Sequence, residues 1–181
     1  MFWKKFAIAS KGAEAGDTET VRRIVSNLDA MEPEKARYVA AFAYILGRVA
    51  HADQVISDDE TAAMERAVAR FGKLGPEETI LVVQIAKSQV RLTGGTENFL
   101  VTREFSAIAS REQKAQLLDC LFAISAADDA ISTAEESQIR QIASELGFSH
   151  REYVVARSKY SKLRDVMKSF RRAAKLEDAT Q

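Results

Sequence analysis

The sequence is poor in the residues that usually give a small protein specialised chemistry. One cysteine, Cys120, among 181 residues cannot close an internal disulfide, so a reducing compartment suits the chain. The two histidines, His51 and His150, have no C-x-x-C or H-x-x-x-H spacing, which leaves zinc without a ligand set. Charge of one sign is not in excess: 26 Lys and Arg face 26 Asp and Glu. No global field therefore draws the chain to nucleic acid or anionic lipid, and any such role needs a local patch. No apolar run approaches the roughly 20 residues of a membrane-spanning helix. MFWKKF runs into KGAEAGDTET without an apolar core of signal-peptide length. Neither a GxSxG elbow nor a glycine-rich phosphate loop occurs, so no enzyme is expected. The expected location is cytoplasmic, with attachment to the inner face of a membrane as an extension of that reading.

Helix signals are plentiful. Pro33 and Pro76, the only prolines, stand where a first helical position costs nothing for the missing N–H. Four S-x-x-[EQ] capping boxes mark further starts: Ser57/Glu60, Ser110/Gln113, Ser132/Glu135 and Ser149/Glu152. Phe42, Ile45, Leu46 and Val49 form a stripe at three- and four-residue steps. The same positions shifted by 75 are Leu117, Cys120, Leu121 and Ile124. Beyond them, Met64, Val68 and Phe71 match Ile139, Ala143 and Leu146, and Gly72 matches Gly147 as a C-terminal stop. The expected fold class is all-α, a bundle of about seven to eight helices with two related helix–corner–helix halves. The halves cover about 35–75 and 110–150 of a helical domain at 19–160. A loosely held or flexible segment (1–18) precedes it, and a basic helix with a frayed tail (161–181) follows.

The corners carry the most specific pattern. AHADQVISDDE begins at Ala50, and SAADDAISTAE repeats its A-D-x-x-I-S-x-x-E 75 positions later, Asp53 against Asp128. An EF-hand loop ending at Glu60 would need acids at Val49 and His51 and a glycine at Gln54, and the second copy fails likewise at Ile124, Ala126 and Asp129. Capping accounts for Ser57/Glu60 and Ser132/Glu135, and Asp58 and Asp59 complement the positive end of a helix dipole. The remaining clustering of acids suits a hard cation, calcium or magnesium. Capping alone and metal binding both stay open on the residues.

Together, this corner pattern written twice after apolar helices resembles the tellurite-resistance TerB family. It is also similar to the N-terminal region of DjlA-type membrane-anchored co-chaperones. The likeness spans about 35–160, and LFAISAADDAISTAEESQIRQIASELGFSHREY is its most specific part. The resemblance implies a two-half helical bundle, a link to tellurite and other chemical stress, and metal binding by shared acids. Carried over, those are Asp53 and Glu60, then Asp128 and Glu135, with Asp58, Asp59, Asp129 and Glu136 as additional ligands. Gln54 and Asp129 depart from the family's usual glycine after the aspartate. A co-chaperone-like adaptor without metal is the alternative function.

Two further segments bear on partners. From Arg157 to Lys175 eight Lys and Arg face Asp165 alone, so the zero net charge hides a basic end. Within it Lys168, Phe170, Arg171 and Arg172 are candidate partner-binding residues, for other proteins, a membrane-associated complex or a second copy; nucleic acid is the weakest reading. At the other end Phe2, Trp3 and Phe6 share one helical face, though a disordered or core-docked terminus is preferred to a membrane anchor.

Overall fold

The computed structural model describes residues 15–50, 58–88, 95–126 and 131–160. Among them all regular structure is helical, in the order α1 (Ala15–Asp29), α2 (Pro33–Ala50), α3 (Asp58–Phe71), α4 (Pro76–Ser88), α5 (Gly95–Ile108), α6 (Arg111–Ser125) and α7 (Thr133–Glu145). Residues 150–160 form an eighth helical stretch, α8. The chain is an all-α bundle. Helix α1 crosses the boundary expected near residue 18.

Local chemistry sets these boundaries. Pro33 and Pro76 each open a helix, where a missing N–H and a fixed φ are assets. Ser110 accepts the Gln113 N–H at 3.2 Å while Gln113 accepts the Ser110 N–H at 2.8 Å. Ser132 with Glu135 and Ser149 with Glu152 make the same reciprocal boxes. The box at Ser57 lies outside the described residues. Helix α7 ends in a Schellman turn: Gly147 takes φ +81° and the Phe148 N–H reaches the Ala143 carbonyl at 2.9 Å. The first half ends differently. There Lys73, not Gly72, is left-handed, with φ 53°. Gly72 is required for another reason: a Cβ on it would stand 2.6 Å from the Val68 carbonyl oxygen.

Helix α2 is the centre of the molecule. Twelve of its 18 residues are buried, and it packs against α4, α5, α6 and α7. Small residues in AAFAYILG let neighbours approach from every side, so the stripe read from periodicity is one part of an all-round buried surface. Tyr38 and Phe42 of α2 meet Phe105 of α5 at ring separations of 5.3 and 6.2 Å. The corresponding stripe of α6, Leu117, Cys120, Leu121 and Ile124, is buried too.

The two halves interlock. Helix α3 packs against α6, and α7 packs against α2, so the second helix of each half lies on the first helix of the other. The same 75-residue shift also places α8 on α4, since Arg151 falls on Pro76. The repeat is therefore a three-helix unit. Phe122 of α6 holds α8 through Tyr153 and Tyr160, at 5.7 and 5.6 Å.

Candidate functional site

The second corner shows how its acids are used. In the Ser132 box the Glu135 carboxylate accepts the Ser132 N–H at 2.8 Å through one oxygen, and Ser132 Oγ accepts the Glu135 N–H at 3.1 Å. Both bonds satisfy donors that a helix start leaves without partners. Glu136 points to the opposite flank and divides its oxygens between Arg140 at 3.2 Å and Arg157 of α8 at 3.1 Å. Capping and ion pairing thus engage both described acids. Asp128 and Asp129 lie outside the described residues, as do Asp53 and His51 of the first corner. Asp58, Asp59 and Glu60 form the first turn of α3, with side chains outside the description. Lys168, Phe170, Arg171 and Arg172 also lie outside it. No cluster of three or more His, Cys, Asp or Glu arranged to hold a metal occurs among the described residues.

A hard cation takes six or more oxygens. From the described part of the corner only Glu135 fits that role, because its cap uses one carboxylate oxygen, whereas Glu136 is matched by two guanidinium groups. The other ligands would come from Asp128, Asp129 and the corner's carbonyls.

A second polar centre escaped the sequence reading. Arg48, in the last turn of α2, is buried with its side chain 4% exposed, and it pairs with Glu145 of α7 at 3.0 Å, itself 9% exposed. The same Nη1 lies 2.7 Å from Thr102 Oγ1 and 3.3 Å from the Asn98 carbonyl of α5. Nη2 reaches Gln138 at 3.5 Å, Gln141 donates to Glu145 at 2.9 Å, and the Tyr44 hydroxyl donates to Asn98 Oδ1 at 3.0 Å. Arg48 Nε is buried without a partner. This cluster ties α2, α5 and α7 together just before the first corner begins. Its only sequence signal was one arginine inside the apolar run AAFAYILGRVA.

The duplication does not repeat this centre. Shifted by 75, Arg48 becomes Ala123 and Glu145 becomes Arg70. At the equivalent α3–α6 contact the Cys120 thiol lies 3.5 Å from the Ala67 carbonyl. Burial pushes that thiol far above its ordinary range, which leaves it protonated and unreactive. Cys120 is thus the small core residue expected. His150 sits in the first turn of α8 and stacks on Tyr153, with ring centroids 6.4 Å apart.

A family model described as tellurite resistance protein TerB matches residues 38–158, more than half of the chain. No curated protein and no solved structure matches.

Proposed function

The chain belongs to the tellurite resistance protein TerB family, and from that premise we propose a non-enzymatic stress-response protein that holds a divalent cation at its acidic corners and works through contacts with other proteins. The observation that carries this reading is the duplicated A-D-x-x-I-S-x-x-E corner inside the matched region. Calcium or magnesium suits an oxygen-only ligand set. The ligands would be Asp53 and Glu60 at one corner and Asp128 and Glu135 at the other, with Asp58, Asp59 and Asp129 available beside them. Glu136 is the weakest member of this set, since a cation would have to displace Arg140 and Arg157. The sequence carries neither a GxSxG elbow nor a glycine-rich phosphate loop, which supports a bundle that displays surfaces rather than one that turns over a substrate.

A second reading, a metal-free helical adaptor, is favoured by the engagement of Glu135 and Glu136 in capping and ion pairs. Calorimetric titration of chelator-treated protein with calcium, magnesium and manganese separates the two. The cation reading expects saturable heat and a higher melting temperature, both lost in Asp53→Ala/Asp128→Ala. No heat and no thermal shift at millimolar metal leave the adaptor.

A further inference from the structure

The helices that flank the two corners rest on one another. Helix α2 runs into the first corner and α3 runs out of it; α6 and α7 do the same at the second. Since α2 packs on α7 and α3 packs on α6, each arm of one corner lies on an arm of the other. A change in the angle between α2 and α3 therefore has to be met by α6 and α7.

One of these two contacts is charged. Arg48 stands in the last turn of α2, five residues before Asp53, and reaches Glu145 at 3.0 Å and Gln138 at 3.5 Å on α7. Gln138 follows Glu135, a ligand of the second corner in the function proposed above, by three residues of the same helix. Both charges of the pair are buried, so sliding the end of α2 along α7 would part them where water cannot replace either partner. The same guanidinium holds the start of α5 through Thr102 and the Asn98 carbonyl, and α5 in turn packs on α7. At the α3–α6 contact the corresponding positions are Ala123 and Arg70, and Arg70 is exposed. The Cys120 thiol and the Ala67 carbonyl meet there instead, a contact without charge. The polar tie between the corners is thus one-sided.

We infer that the Arg48–Glu145 pair couples the two corners, so that a divalent cation held at one raises the affinity of the other. This regulation rests on the cation reading proposed above. A cation that draws the oxygens of the first corner together fixes the last turn of α2. Through Arg48 it fixes α7 as well, and the second corner then has less ordering left to do when it takes its own ion. By linkage the effect is equal in both directions.

The test is a calcium titration of the full chain, with amide hydrogen exchange followed on both sides of the pair. The wild type is expected to bind its second ion about fivefold or more tighter than its first, after statistical correction. In Asp128→Ala, which leaves the first corner to bind, calcium should slow exchange from Glu135 to Ile139 in α7. In Asp53→Ala it should slow exchange from Gly47 to Ala50 in α2. Arg48→Met/Glu145→Leu replaces the pair by apolar groups, so both corners should bind independently and the remote protection should vanish. Should that variant lose the helical circular dichroism of the parent, Glu145→Gln keeps the shape of the side chain and is expected to lower the coupling in the same direction. Independent binding in the wild type overturns the inference, as does remote protection that is missing from the single-corner variants. So does a coupling unchanged by loss of the pair. Heat at both corners without these effects removes the coupling and leaves the cation reading standing. No heat in any variant removes the cation reading, and the coupling falls with it.

Discussion

A single arginine shows how far one residue can depart from the pattern around it. Arg48 lies in the helix most suited to being purely apolar, and its charge is carried there because Glu145, Thr102, Asn98 and Gln138 converge on it. Removing one partner strands the other in a buried site, whereas removing both in favour of apolar groups removes the desolvation penalty with the attraction. Arg48→Met is therefore expected to cost about 3–5 kcal/mol in urea unfolding. Arg48→Met/Glu145→Leu should recover most of that loss, because Thr102 still donates to the Asn98 carbonyl at 3.0 Å. If the double variant is no more stable than Arg48→Met, the pair is not the organising contact of this seam. The sequence offered no warrant for this cluster: its members are drawn from three helices up to 97 residues apart, and no local spacing connects them.

Helix ends were far more legible, because capping chemistry is local. The boxes at Ser110, Ser132 and Ser149 could be read from three-residue spacings, and each is built as the spacing implies. The end of α3 was harder: Gly72 matched Gly147 under the 75-residue shift, but the left-handed turn falls on Lys73, and Gly72 instead keeps a Cβ away from the Val68 carbonyl oxygen. The box that opens α8 has a further consequence in acid. Glu152 accepts the Ser149 N–H and pairs with Arg111, and these contacts hold its carboxyl down from 4.5 to about 2. A depressed value in the folded state means that the contribution is complete above the unfolded value and is lost as pH falls toward about 2. Wild-type stability should therefore decline through that acid window, and Glu152→Gln should flatten part of the decline. Identical pH profiles from urea midpoints for the two proteins would show that the exposed carboxylate is screened to insignificance.

On the scale of the whole molecule, the duplication was visible in the sequence but its consequence was not. Aligning Phe42 with Leu117 and Met64 with Ile139 identifies two related halves, yet it is silent on which half each helix packs against. Side-chain periodicity gives a buried face; only three-dimensional packing gives its partner. The second helix of each half lies on the first helix of the other, while α4 packs on α2 and α3 within the first half, so the core is shared between the halves. The buried Arg48–Glu145 pair crosses that junction on one side, and the Cys120 contact with Ala67 crosses it on the other. A chain divided at the TGGT segment should then yield two fragments, 1–92 and 93–181, each left with exposed apolar stripes. Separately they are expected to show weak helical circular dichroism and no cooperative melting, and mixing them should restore both. The intact chain should melt in one transition, with calorimetric and van't Hoff enthalpies equal. A cooperative melt from either fragment alone would mean that a half is an autonomous unit and that the interlocking is incidental to stability.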